Sequence, residues 1–159
     1  METSASGALF PTSDERIMAA LAHLSAILPM WGILAPIVIW LTQREKSRWA
    51  AFQALQAIAF QIVVILVYII GFACYMGSFF ALMIGGVLGS QMGSFEPAFG
   101  VSFALPFLVL FLLLGVTLLS ISYGIVAAVS TFQGKNFRYA IIGRRLEDYL
   151  RRADVHQAR

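Results

Sequence analysis

The sequence predicts an all-α integral membrane protein: a small helical bundle of three apolar elements with a basic amphipathic C-terminal tail. Three observations predict it. Of 159 residues, 60% are hydrophobic and only 12% are charged, against roughly a quarter charged in an ordinary soluble domain. The apolar residues gather in runs long enough to cross a bilayer. The basic residues are segregated, ten of the eleven Lys and Arg lying in the turn 44–48 or after Gln133 and none between Trp49 and Gln133. Length suits one compact bundle, and no internal period suggests a repeat array. The domain reading is a flexible N-terminus over 1–13, a membrane-embedded helical domain over 14–139, and a basic cytoplasmic tail over 140–159.

Thr12-Ser13-Asp14-Glu15 has the form of a capping box, in which the Glu15 carboxylate reaches back to the Thr12 amide, so a helix starts there. Ile17, Leu21, Leu24 and Leu28 follow at helical spacing and make one apolar seam. Pro29 and Gly32 interrupt the pattern, so the first apolar element, 17–41, is broken in its middle at Pro29-Gly32. Its 25 residues would give about 37 Å of helix against a hydrocarbon core of about 30 Å, and this length favours a span. The competing reading is a re-entrant hairpin turning at the break, which hydrocarbon tolerates only where protein or water covers the freed backbone groups.

The charged turn Gln43-Arg44-Glu45-Lys46-Ser47-Arg48 is bracketed by Trp40 and Trp49, amphipathic rings suited to a headgroup interface, and Ser47 is placed to cap the next helix. The second span, 52–75, is 24 residues without a charge. From 76 to 101 the glycines Gly77, Gly85, Gly86, Gly89, Gly93 and Gly100 predict a flexible connection with a short interfacial helix. The third span, 103–132, has Pro106 in its first turn, and its thirty residues exceed the core thickness, so it needs tilt or an extension beyond the bilayer.

Gly134 ends that helix, and seven basic against three acidic residues leave the following tail at +4. Ile142, Leu146, Tyr149 and Leu150 recur there at helical spacing, which fits an amphipathic helix on an anionic leaflet or a solvated basic tail. The membrane-surface basic residues are then Arg44, Lys46, Arg48, Arg144, Arg145, Arg151 and Arg152. The excess of Lys and Arg places both the turn and the tail on the cytoplasmic side, so the C-terminus is cytoplasmic.

At about 100° per residue, Gln53, Gln56 and Gln61 share one arc of about 140° on the second span, a poor neighbour for lipid. Such amides act as hydrogen-bonding glue between helices or line a wet groove. His23 is the only histidine in a span, and a proton relay or gate is one reading of it. It has no carboxylate partner in any span, and a satisfied core histidine bonded to a Gln amide or a freed carbonyl is the other reading. His23, Ser25, Gln53, Gln56 and Gln61 form the candidate polar cluster. Ser120, Gly124 and Ala128 make a small-xxx-small row for helix packing, with Thr117 and Thr131 beside it. The one cysteine, Cys74, sits in an apolar run and excludes an intramolecular disulfide. No metal-ligand spacing, nucleophile–base pair, phosphate-cradling loop or intramembrane carboxylate pair is present in the sequence, so no enzyme activity, catalytic residue, metal or cofactor is expected.

Asp14-Glu15-Arg16, His23-Leu24-Ser25, Pro36 with Trp40, the Lys46-Ser47 turn, Phe52-Gln53-Ala54-Leu55-Gln56-Ala57 and Gly134-Lys135-Asn136-Phe137-Arg138-Tyr139 stand in an order and spacing that resemble a bacterial family of small uncharacterised multi-pass membrane proteins. That family is distantly similar to the Tic-type channel component of the chloroplast inner-envelope import machinery. The resemblance covers about 14–139 and departs from the family at Arg48 and Ala140, where proline is common, and in a longer 76–101 region. It implies a membrane-embedded helical module and carries over no catalytic residue. With the bacterial resemblance, the expected location is the inner (cytoplasmic) membrane.

The expected function is a non-catalytic accessory or scaffold subunit of a larger membrane assembly. The alternative is a component of a protein-translocation or channel apparatus resembling the Tic-type family. Expected partners are the lipid bilayer and other membrane subunits or further copies of the chain, with no nucleic acid: the formal charge of +3 reflects basic residues beside apolar spans.

Overall fold

The computed structural model describes residues 11–28, 30–92 and 98–139. Four α-helices carry it: α1 (Ser13–Leu24), α2 (Leu34–Gln43), α3 (Arg48–Met92) and α4 (Ala98–Phe132), with short 3₁₀ turns at Ser25–Ile27 and Trp31–Ile33 between the first two. The chain divides into two compact units, one of Met1–Ile62 with Ile121–Arg159 and one of Val63–Ser120.

In the first unit the capping box forms as its residues dictate. The Thr12 hydroxyl accepts from the Glu15 amide at 3.4 Å, and the Glu15 carboxylate accepts from the Thr12 amide at 2.7 Å. Beyond α1 the chain does not continue across. Leu28 leaves the helical region (φ −98°, ψ 93°), and Met30 takes φ 67°, a conformation that is sterically costly for any residue but glycine. The chain reverses there, and α2 returns beside α1, bringing Gln43 Nε2 to 2.8 Å from Met18 Sδ.

The first apolar element is therefore a hairpin with both ends on one side, and the spanning reading of 17–41 is corrected. Gly32 makes the reversal tight enough, since a Cβ on it would overlap the Ser25 carbonyl oxygen. At the break, Leu28 N–H donates to Ser25 O at 3.0 Å and Gly32 N–H to Leu28 O at 2.8 Å, so these two amides are bonded within the chain.

Ser47 starts α3 by accepting from the Ala50 amide at 3.2 Å. The helix then runs unbroken for 45 residues, so 76–92 is helix and not the expected flexible connection with its own short helix. Each interior glycine weakens a helix by about 1 kcal/mol in water. In an apolar medium an open peptide finds no water to bond, and the helical hydrogen bonds outweigh that cost. α4 already begins at Ala98, so Pro106 lies inside the helix and not in its first turn. Among the described residues two helices are long and apolar enough to cross a membrane, Arg48–Gln91 and Phe103–Phe132, with the shorter apolar helix Trp31–Gln43 beside them.

The interior of the first unit is small and polar. Ala22, Ala54 and Ala57 pack against Ile39 and Trp40, and Ala19, Ala50 and Ala127 are wholly buried. Large apolar side chains such as Leu28, Leu34 and Val38 face outward. This is the pattern of helices that associate by close approach and hydrogen bonding in lipid. In the second unit α3 and α4 run antiparallel, with the Tyr68 hydroxyl 2.7 Å from the Thr117 hydroxyl and Gly71 giving room to Leu113. Phe72, Phe80, Phe111 and Leu119 are exposed on its outer surface.

Candidate functional site

The candidate site is built where α4 ends. Gly134 takes φ 76°, Lys135 N–H donates to Ser130 O at 3.1 Å, and Gly134 N–H donates to Thr131 O at 2.8 Å. This is a Schellman motif, which satisfies the last carbonyls of α4 and turns the chain back on itself. Residues 135–139 then re-enter the first unit as irregular chain, with Phe137 N–H donating to Lys135 O at 3.0 Å, instead of leaving as a polar tail, and Tyr139 is only 2% exposed.

An irregular segment in a non-aqueous interior needs partners for its peptide groups, and a glutamine of α3 supplies two of them. Gln56 Nε2 donates to Phe137 O at 3.1 Å, while Gln56 Oε1 accepts from the Tyr139 amide at 3.2 Å. One side chain thereby does for the segment what a neighbouring strand would do. Gln53 Nε2 donates to Asn136 Oδ1 at 2.8 Å, leaving Gln53 Oε1 as an acceptor 3.2 Å from His23 Nε2. That fixes the histidine: Nε2 carries the proton, and Nδ1 accepts from the Tyr139 hydroxyl at 3.1 Å. Tyr139 also stacks on Phe60 at 4.5 Å, with Tyr123 and Phe137 edge-on at 5.2 and 5.1 Å.

The hydrogen bonds sort the five sequence-derived polar residues into two sets. His23, Gln53 and Gln56 belong to the network around 135–139, whereas Gln61 donates to the Ser25 hydroxyl at 3.0 Å, and that hydroxyl donates to Ala22 O at 2.8 Å. Of the packing row, Gly124 meets the end of α1 and the turn after it, where a Cβ would lie 3.1 Å from His23 O and 2.9 Å from Ala26 Cβ. Ala128 is buried, and Ser120 bonds back to Thr117 O at 2.9 Å. At the start of α1 the Ser47 hydroxyl, aided by the Thr12 cap and opposed by burial, holds the Glu15 carboxyl below its usual range. Arg44 lies 5.7 Å over the Trp40 ring and 3.6 Å from Glu45. Arg144, Arg145, Arg151 and Arg152, with the rest of the tail, lie outside the described residues.

Sequence reasoning did not single out Asn136, Phe137 or Tyr139 as parts of the site. Their signals were a run alternating polar and aromatic residues directly after a helix-ending glycine and its place among the motifs that carried the resemblance. Among the described residues every buried side-chain nitrogen and oxygen has a hydrogen-bond partner, and no group of three His, Cys, Asp or Glu could hold a metal ion. The arrangement can fix a fold, and the ring of His23 is bonded at both nitrogens.

Two long apolar helices, a small polar interior and large apolar residues facing outward define a multi-pass helical membrane protein. The chain belongs to the MamF/MmsF family, the magnetosome magnetite crystal formation protein family, whose model matches residues 14–146. That finding corrects the expected likeness to the Tic-type import channel, and with it the translocation reading. Neither the curated proteins nor the solved structures contain a match to the chain. The family's role in magnetosome magnetite crystal formation is membrane-associated.

Proposed function

We propose that the chain serves magnetite crystal formation as a non-catalytic scaffold subunit, packed with other membrane subunits or with copies of itself in a larger assembly. Its place is a bacterial inner (cytoplasmic) membrane or a compartment continuous with it, with the C-terminus cytoplasmic. The observation that carries this reading is the internal use of the polar groups. Gln53, Gln56, Gln61 and His23 are all bonded within the chain, so the amide arc acts as glue that fixes a re-entrant hairpin and a returning segment. The outer faces of α3 and α4 are left apolar and available to lipid and protein neighbours.

The test is the double substitution Gln53→Leu with Gln56→Leu, in cells that form magnetite and in liposomes. The scaffold reading expects smaller or misshapen crystals, a smaller co-purifying assembly in mild detergent, and liposomes as ion-tight as those with the unaltered protein. A stable lone monomer that co-purifies with nothing, or an ion flux that the double substitution alters, would overturn it.

A further inference from the structure

We infer that the end of the first unit at which α1 begins is an anionic-lipid docking collar, in which three segments distant in sequence, 11–16, 44–48 and 134–138, form one cationic surface for acidic phospholipid headgroups. The inference needs only insertion in a membrane and is independent of the scaffold role.

Contacts join the three segments. Gln43, one residue before the 44–48 segment, has its Nε2 2.8 Å from Met18 Sδ, two residues beyond Arg16. The Arg16 guanidinium lies over Gly134, its Cζ 2.9 Å from where a Cβ would be. Gln53, a turn and a half into α3, holds Asn136. The hairpin is what makes this possible, because a spanning first element would carry Arg16 to the opposite side from Arg44. The described segments bring together Arg16, Arg44, Lys46, Arg48, Lys135 and Arg138 against Asp14, Glu15 and Glu45, six positive to three negative, or +3. Glu15 is occupied by its cap, and Glu45 lies beside Arg44. Arg44, Lys46, Arg48, Lys135 and Arg138 are exposed.

The neighbours of the charge identify the partner. Each cationic segment adjoins an exposed large apolar side chain within three residues: Ile17 (46% exposed) after Arg16, Leu41 (51%) before Arg44, and Phe132 (60%) before Lys135. Positive charge adjoining exposed apolar side chains matches the boundary between headgroup and acyl chain, and the half-buried Trp40 and Trp49 bracket the charged turn. A soluble anion or a nucleic acid would not need the apolar side chains.

The test uses the tryptophans. Trp31, 77% exposed at the tip of the hairpin, is replaced by Phe, which leaves Trp40 and Trp49 as the reporters among the chain's three tryptophans. The full chain is reconstituted in phosphatidylcholine bilayers containing brominated phosphatidylglycerol or, in parallel, brominated phosphatidylcholine. At low salt, quenching should show a preference of about threefold or more for the acidic lipid. It should fall toward parity near 1 M salt, where the screening length is about 3 Å. Arg44→Gln, Lys46→Gln and Lys135→Gln together, with the tail untouched and helical circular dichroism unchanged, should bring the low-salt ratio near one. Equal quenching by the two lipids at low salt, a preference insensitive to salt, or a preference that survives in the folded triple variant would each overturn the collar. If that variant does not fold, the salt titration of the Trp31→Phe protein decides.

Discussion

Gln56 and Gly134 show how single residues hold an unusual path in place. Gln56 answers a carbonyl and an amide two residues apart on the returning segment, a pairing that leucine, similar in size, would leave unmade. Gly134 sets the direction of return. Its φ of 76° costs a side-chain-bearing residue about 1–2 kcal/mol, and a Cβ there would also press on the Arg16 guanidinium. The guanidinium is the far end of a flexible chain and can shift, so the backbone term should dominate. Gly134→Ala is therefore expected to lower stability by about 1–2 kcal/mol, and Gly134→Asn by less, because asparagine tolerates the left-handed region. Unfolding titrations in mixed micelles would measure both. Two variants as stable as the unaltered protein would show that the turn does not depend on this glycine.

Among the elements, local signals were legible in the sequence and long-range ones were not. The capping box of α1 and the Ser47 cap of α3 follow from side chains within three residues of the groups they bond. The two helices long and apolar enough to cross a membrane follow from apolar run length. The reversal at the hairpin depends on Met30 adopting a positive φ, which composition does not encode, and on Ser25 and Gly32 touching across it. The alternating polar and aromatic run 135–139 reads as an exit, because Tyr139 stacks on Phe60 and bonds His23, 79 and 116 positions away in the chain. The glycines of 76–92 suggested a loop because propensities measured in water undervalue a helix in an apolar medium.

The hairpin carries a topological prediction: in a Cys74→Ala background, Ser13→Cys and Lys46→Cys, both at exposed positions, should react with an impermeant thiol reagent from the same side of the membrane. A first element that spanned would place them on opposite sides.

For the whole molecule, apolar length is set against bilayer thickness. Exposed large apolar side chains extend along α3 from Ile62 to Leu88, a stretch of about 40 Å at 1.5 Å per residue. On α4 the apolar helix Phe103–Phe132 has 30 residues, or about 45 Å. Both exceed the hydrocarbon core of about 30 Å, and no charge lies between Trp49 and Met92 to mark an earlier exit. Exposing the surplus to water is unfavourable at roughly 25 cal/mol per Å², so the helices should tilt by roughly 40–50°, where spans average about 20°. α3 and α4 contribute 45 and 35 of the helical residues, against 12 and 10 from α1 and α2, so polarised infrared dichroism of the amide I band in oriented bilayers reports mainly on them. The mean tilt should be well above 20° in eighteen-carbon lipids and decrease as acyl chains lengthen, because a thicker core accommodates more of each helix upright. A tilt near 20° that does not change with chain length would mean that lipid does not cover the surplus, and that protein neighbours in the assembly do.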